Sequence, residues 1–250
     1  MMSLREAAAV MAGELHGADR VFHGVSTDTR AMVPGELFVA IKGERFDASQ
    51  FVGQAFAAGA AGAVVPADAL LQSAGDRPLV RVDDTRLALG RLAASWRRRF
   101  ALPLIAITGS NGKTTVKDMV AAVLRSACGR DDEVLATEGN FNNDIGMPLT
   151  LLRLRERHRF AVVEMGMNHA GEIRYLSGLA RPSVALVTNA GTAHIGMLGS
   201  REAIARAKGE IYEGLAADGV AILNADDAFA GLWRAQNAQR RVLDFALVAR

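Results

Sequence analysis

Hydrophobic and polar positions alternate with two different rhythms along the chain. The opening stretch MMSLREAAAVMAGEL carries Arg5, Glu6 and Glu14 through its apolar positions, the pattern of an amphipathic helix and not the uninterrupted apolar core of a secretory signal. A strand is predicted near Val21 to Ser26. Pro34-Gly35 has the order of a type II turn, because proline presets φ at the second position and glycine accepts positive φ at the third. The apolar run Leu37 to Ile41 reads as a strand, Ala48 to Gly59 as a helix with Phe51, Val52, Ala55 and Phe56 along it, and AGAVVP as a short strand closed by Pro66. After SAGDRP comes another strand, Leu79 to Val82. Residues 1–83 are thus expected to form a small N-terminal α/β domain.

From Thr85 to Phe100 the period becomes helical, with Leu89, Leu92, Ala93, Trp96 and Phe100 on one face and Arg91, Arg97, Arg98 and Arg99 mostly on the other. Residues 84–100 read as a connecting helix with a solvated arginine face. Beyond it, near-continuous apolar runs alternate with helices: PLIAITG, a helix Lys113 to Arg125, EVLAT, FAVVEMG, a helix Glu172 to Leu179, SVALVTN, a helix Arg201 to Ala216, GVAILN and RRVLDFALV. Such runs indicate a mostly parallel sheet covered on both faces, the doubly wound arrangement, for residues 101–250. Ligands of such sheets gather at the C-terminal ends of the strands.

Composition narrows the class. Half of the 250 residues are hydrophobic, enough for one large or two small packed domains. Twenty-nine Lys+Arg against 27 Asp+Glu leave a net charge of +2, too small a field to favour nucleic acid as a partner. No apolar stretch approaches the ~18 residues of a membrane span, and the expectation is a cytoplasmic protein. The single cysteine, Cys128, excludes an intramolecular disulfide and a multi-cysteine metal site, and reads as a small buried apolar residue.

The strongest chemical signal is LIAITGSNGKTT, an apolar strand running into Thr108-Gly109-Ser110-Asn111-Gly112-Lys113-Thr114-Thr115 and then a helix whose buried face is expected at Val116, Met119, Val120, Val123 and Leu124. In a glycine-rich strand-to-helix turn, backbone N–H groups wrap phosphate oxygens and the helix N-terminus adds partial positive charge. Lys113 neutralises the β- and γ-phosphates, and the Thr114 hydroxyl reaches Mg²⁺. The longer G-x-x-x-x-G-K-[ST] spacing would need glycine where Ile107 stands, so the match is to a shorter G-x-x-G-K-T form.

Glu164 ends the strand FAVVE at the same sheet edge, where a carboxylate can hold Mg²⁺ directly or through water. Taken alone, it serves equally as a capping or salt-bridging carboxylate. The loop AGTAHIGMLGS after VALVTN follows Asn189 and contains His194, a residue more often structural than a Mg²⁺ ligand, since that ion prefers oxygen. Lys208, in IARAKGEI, reads as an exposed lysine on a helix surface.

Taken together, STDTRAMVPGELFVAIKGERFDASQF, TGSNGKTTVKDM, TEGNFNNDIGMPLTLL, VVEMGMNHAGEI, TNAGTAHIGMLGS with AKGEI, and NADD resemble the Mur ligases of peptidoglycan synthesis over almost the whole chain. The phosphate loop is common to these enzymes and the folylpolyglutamate synthases. GNFNNDIGMPLTLL and EMGMNHAGEI point to the dipeptide-adding branch.

The resemblance implies ATP-dependent ligation of D-alanyl-D-alanine to UDP-N-acetylmuramoyl-tripeptide through an acyl phosphate. It implies that residues 101–250 bind ATP through Gly109, Ser110, Asn111, Gly112, Lys113, Thr114, Thr115 and, at the adenine, Asn224. Thr114 and Glu164 would serve one Mg²⁺, and Glu164 with His194 a second. Lys208, carbamylated, would supply that second ion with an oxygen ligand. Residues 1–83 would bind the UDP end at Thr29, Arg30, Arg45 and Phe46, since arginine pairs with diphosphate and phenylalanine stacks on uracil. An arginine salt bridge and a core phenylalanine are the plainer alternatives. Asn140, Asn142 and Asn143 match an asparagine-rich turn at the substrate cleft. Family members carry a third, C-terminal ligase domain, so the expectation is a truncated form with very low turnover. Another Mur or folylpolyglutamate-type ligase, and a non-catalytic nucleotide-binding fragment, stand as alternatives.

Overall fold

Ser3 starts the first helix by accepting a hydrogen bond from the Glu6 N–H at 3.2 Å, which satisfies one donor of the first turn. The computed structural model describes residues 1–43, 47–69, 76–193 and 195–247. They pack as two units, Met1–Trp96 and Arg97–Arg250.

In the first unit the elements are β1 (Met2–Ser3), α1 (Leu4–Met11), β2 (Glu14–His16), β3 (Val21–Phe22), β4 (Val25–Ser26), β5 (Leu37–Val39), α2 (Val52–Ala57), β6 (Gly62–Pro66), β7 (Leu79–Val82) and α3 (Thr85–Arg97), whose last residue opens the second unit. A five-stranded sheet runs β2-β7-β6-β5-β4, with β2 antiparallel and the rest parallel, and β1 pairs β3 apart from it. The run expected as one strand from Val21 to Ser26 is therefore two. The backbone changes partner at His23-Gly24, where the Gly24 carbonyl accepts from Leu37 N–H and a side chain would crowd Glu36. The Pro34-Gly35 turn forms as expected, with Glu36 N–H donating to the Val33 carbonyl at 3.1 Å and Gly35 at φ 88°. The helix expected from Ala48 begins as a 3₁₀ turn, Ala48–Phe51, capped by the Asp47 carboxylate.

The helix expected as a connector packs Ala88, Leu89, Leu92 and Ala93 inward. Its arginine face is not uniformly solvated. Arg97 is buried, its guanidinium donating to the carbonyls of Ala180 at 3.0 Å and Leu102 at 3.3 Å and also to Phe100. The side chain supplies donors to carbonyls at the end of a helix and in the segment that follows α3. Burial, with Arg181 nearby, lowers its pKa from the ordinary arginine value.

The second unit continues with β8 (Leu104–Thr108), α4 (Lys113–Cys128), β9 (Val134–Ala136), α5 (Gly146–Leu152), β10 (Phe160–Glu164), α6 (Glu172–Ala180), β11 (Val184–Val187), α7 (Ile195–Leu198), α8 (Arg201–Gly209), β12 (Val220–Asn224), α9 (Ala230–Gln236) and β13 (Arg241–Phe245). Its six strands are all parallel in the order β13-β12-β11-β8-β10-β9, the doubly wound α/β arrangement. The chain leaves β8 for β9 on one side, returns to β10 beside β8, then crosses to β11 on the other. The C-terminal end of β8 is thus a topological switch point, where a crevice opens for a ligand. Ile107, Val162, Val134 and Leu186 pack under Ala121 of α4, so apolar burial holds that helix on the sheet.

Two expectations about helix faces are corrected. Met119 and Val123 of α4 are 64% and 68% exposed. The face packed on the sheet is Val116, Lys117, Val120, Ala121, Leu124 and Cys128; Lys117 and Ala121 are buried and the other four, Cys128 among them, are half-buried, while Met119 and Val123 lie on its far flank. Lys208 is 2% exposed, because it shares the helical stripe of Ile204 and Ile211, four residues before it and three after. The helix expected as continuous to Ala216 gives way at Glu210 to a 3₁₀ turn, Glu210–Gly214.

Candidate functional site

The turn between β8 and α4 is held from both sides. Thr108 Oγ1 donates to the Met165 carbonyl at 2.8 Å, fixing the strand end to the segment after β10. Gly109 follows at φ 153°, and a Cβ there would overlap the Thr188 hydroxyl. Thr188 Oγ1 donates to the Asn111 carbonyl at 2.7 Å, Ser110 N–H to the Asn189 carbonyl at 2.9 Å, Asn111 N–H to Asn189 Oδ1 at 3.1 Å, and Gly191 N–H to Ser110 Oγ at 2.9 Å. Gly112 takes φ 76° as the residue before α4 and turns the chain into the helix. The first N–H groups of a helix lack intrahelical partners, and here they open at the switch point, a cradle for an anion. Thr115 is exposed on that first turn, and Lys113 Nζ donates to the Gly109 carbonyl at 2.9 Å.

Glu164 ends β10 beside this turn and is 2% exposed. Thr114 Oγ1 donates to its Oε2 at 2.8 Å and Asn142 Nδ2 to its Oε1 at 2.7 Å, while its backbone N–H donates to Thr137 Oγ1 at 3.0 Å. Among the described residues no cation pairs with this carboxylate. A buried carboxylate without a cationic partner is costly. Its oxygens and the Thr114 hydroxyl are the hard donors a Mg²⁺-sized ion takes. No group of three or more His, Cys, Asp or Glu among the described residues could form an all-protein metal cage, so an ion here would complete its shell with phosphate oxygens and water.

Lys208 faces the same region. Burial first, and the Lys113 ammonium second, bring its pKa down to about 7. Two residues on, the buried Glu210 carboxylate accepts from Gly171 N–H at 2.8 Å and Arg174 N–H at 3.1 Å. Gly171 offers no side-chain cap to α6, and Glu210 supplies one from a distant part of the chain. Lys208 is thereby tied to the β10–α6 segment that leaves Glu164.

The asparagine-rich turn divides its work. Asn142 reaches Glu164, Asn143 Oδ1 accepts from Gly146 N–H at 2.8 Å at the start of α5, and Asn140 is exposed. Asn224 at the end of β12 donates to the Thr188 carbonyl at 3.1 Å, so it borders the clamp on the phosphate turn. His194 lies outside the described residues. Thr137, Thr188, Asp227, Lys117 and Glu210 join the network without having been singled out from the sequence. Each acts through a partner at least 20 residues away, which leaves no local pattern to find.

In the first unit a cavity of about 530 Å³ is lined by Thr29, Arg30, Phe38 and Phe51 among others. Arg30 is held on Asp28 by Nε–Oδ1 and Nη2–Oδ2 bonds of 2.9 and 2.7 Å, and this guanidinium draws the Asp28 pKa down to about 2. Thr29 Oγ1 lies 3.4 Å from Gln54 Oε1. Arg45 and Phe46 lie outside the described residues.

A parallel sheet with a glycine-bounded anion cradle at its switch point and a buried carboxylate bonded to the following threonine defines a phosphate-loop nucleotide-binding class. The chain belongs to the Mur ligase family: the Mur ligase middle domain matches residues 107–249, and the Mur ligase family catalytic domain matches residues 21–97. It is 47% identical over 247 residues to the UDP-N-acetylmuramoyl-tripeptide--D-alanyl-D-alanine ligase of Escherichia coli, covering 98% of this chain and 52% of that protein. Among solved structures it is similar to MurF from Acinetobacter baumannii, with TM-score 0.86 and 40% identity over 96% of this chain and 52% of that one. It is also similar to the Thermotoga maritima MurF ligase in complex with ADP, with TM-score 0.79 and 29% identity over 92% of this chain and 51% of that one. The chain spans about half the length of the relatives it matches.

Proposed function

We propose that this chain holds the acceptor and nucleotide in an ATP-dependent ligation of D-alanyl-D-alanine to UDP-N-acetylmuramoyl-tripeptide, working in the cytoplasm. The observation that carries the reading is the buried Glu164 carboxylate bonded to Thr114 at the mouth of the phosphate turn. Residues 1–83 take the UDP end in the cavity bordered by Thr29 and Arg30, with Arg45 and Phe46 assigned to the same task by family resemblance. Residues 84–100 join them to residues 101–250, which take ATP.

Gly109 to Thr115 receive the phosphates, and Lys113 exchanges the Gly109 carbonyl for β- and γ-oxygens. Thr114 and Glu164 would hold a Mg²⁺ ion, His194 and Lys208 are assigned to a second, and such ions would neutralise charge on the transferred phosphoryl group. Asn142 keeps the Glu164 carboxylate oriented. The tripeptide carboxylate attacks the γ-phosphorus, ADP leaves, and the resulting acyl phosphate is opened by the dipeptide amine with loss of phosphate and a proton. Lys208, with its pKa near 7, keeps enough neutral amine at neutral pH to add to CO₂ and become a carbamate, releasing a proton. A ¹³C carbamate resonance after addition of ¹³C-bicarbonate, absent from Lys208→Met, is expected. Its absence from the parent chain removes the carbamate.

Acceptor choice tests the branch. Calorimetry should show the chain binding UDP-N-acetylmuramoyl-tripeptide at least ~10-fold more tightly than the corresponding dipeptide nucleotide, a difference of about 1.4 kcal/mol. The reverse order would assign the chain to the ligase that adds the third amino acid.

A further inference from the structure

Lys117 is 5% exposed, sits one turn beyond Lys113 and Thr114 on α4, and has no part in the phosphate turn. Its ammonium donates to the Thr137 carbonyl at 2.8 Å and lies 2.6 Å from Asp118 Oδ1. Thr137 follows β9 immediately and is 1% exposed. Its N–H extends the sheet by donating to the Val162 carbonyl at 3.0 Å, and its hydroxyl accepts the backbone N–H of Glu164. Lys117 therefore grips the same residue that grips Glu164 at its backbone.

For stability alone a buried ammonium is a poor choice, since an apolar side chain of similar volume usually serves as well or better. The position makes sense if the geometry of Thr137 matters. With the Thr137 carbonyl drawn to α4, its hydroxyl stays aimed at Glu164 N–H, and the carboxylate stays where Thr114 and Asn142 meet it. Thr114 and Lys117 are three residues apart on one helix, so the hydroxyl bonded to Glu164 and the ammonium bonded to Thr137 are carried by one rigid element.

We propose that Lys117 is a positioning residue that, through Thr137, sets the Glu164 carboxylate for the divalent cation of the nucleotide. This rests on the assignment of Glu164 to Mg²⁺ above, and it adds a residue that touches neither nucleotide nor metal. Residues that orient a metal-binding carboxylate typically change metal affinity about 10-fold or more when removed.

The test compares the 250-residue chain with Lys117→Met, Thr137→Val and Thr137→Ser in two measurements. Hydrogen exchange of the Glu164 amide reads the Thr137 contact, and ATP titration with Mg²⁺ and with EDTA reads the cation. In Lys117→Met and Thr137→Val the Glu164 amide is expected to exchange faster. The tightening of ATP binding by Mg²⁺ is expected to fall about 10-fold while binding in EDTA is unchanged. Thr137→Ser, which keeps the hydroxyl, restores both. The double variant Lys117→Met/Thr137→Val loses no more than Thr137→Val alone, because both act along one path. Unchanged Glu164 exchange in a folded Lys117→Met overturns the proposal. If Lys117→Met does not fold, exchange in Thr137→Val equal to that of the parent overturns it instead. Absence of any Mg²⁺ effect in the parent chain overturns the Mg²⁺ assignment of Glu164 itself, and the exchange measurement then decides separately whether Lys117 holds that residue.

Discussion

Gly109→Ala is expected to cost about 3 kcal/mol of stability and to abolish measurable ATP binding, whereas Gly112→Ala, three residues on, costs about 1 kcal/mol. The two glycines are needed for different reasons. At Gly109 a methyl group would occupy the space of the Thr188 hydroxyl, and that hydroxyl is bonded to the Asn111 carbonyl. Relief requires the turn to move off the clamp formed by Thr188 and Asn189, which scatters the N–H groups that line the cradle. At Gly112 a Cβ would meet nothing within 4 Å, and only its φ of 76° disfavours alanine. Chemical denaturation and ATP titration of both variants check this. Gly109→Ala with the parent's ATP affinity would show that the clamp does not shape the phosphate turn.

The second large effect is a gain. In CO₂-free buffer without Mg²⁺, Lys208→Met is expected to stabilise the chain by about 4 kcal/mol below pH 7, with the gain shrinking as pH rises toward 10.5. The folded pKa of about 7 lies below the 10.5 of the unfolded chain. Between these values the unfolded chain binds more protons, so the parent gains stability as pH rises. Below pH 7 the ammonium is buried at full penalty, and above 10.5 both states are neutral. Methionine removes the penalty at every pH, so the difference between the two proteins is largest on the acid side. Denaturant midpoints at pH 6 and pH 9.5 measure it. Equal effects at the two pH values would mean that the lysine amine is solvated.

The fold was legible where one period ruled a whole element. Leu79–Val82 is a strand with the bounds its apolar run suggests, and α4, α6 and the strands from β8 to β13 stand where apolar runs alternate with helical ones, although β13 is largely exposed. The differences share a cause: in these helices position in the period decides burial, and residue type does not. Lysine is ordinarily solvated, yet Lys208 is buried because it lies on the stripe of Ile204 and Ile211. Met119 and Val123 are apolar, yet they are exposed because they lie beyond the stripe. Arg97 follows the same rule, its charge masking a buried role as donor to backbone carbonyls.

The candidate site was legible in its local parts alone. Gly109 to Thr115 announce themselves as a contiguous motif, and Glu164 as a carboxylate ending an apolar strand. The Asn189–Asn111 exchange, the Glu210 cap on α6 and the Lys117–Thr137–Glu164 path join segments that only the β8 switch point brings together.

If the turn from Gly109 to Thr115 binds the phosphates of ATP, Lys113 is its cation. The most direct measurement is calorimetric titration of the 250-residue chain and of Lys113→Ala with Mg²⁺-ATP, with UDP-N-acetylmuramoyl-tripeptide as the control ligand. Saturable ATP binding is expected that Lys113→Ala weakens at least ~100-fold, about 2.7 kcal/mol, while the control ligand binds both proteins equally. Equal ATP affinity in the two proteins would contradict this role of Lys113.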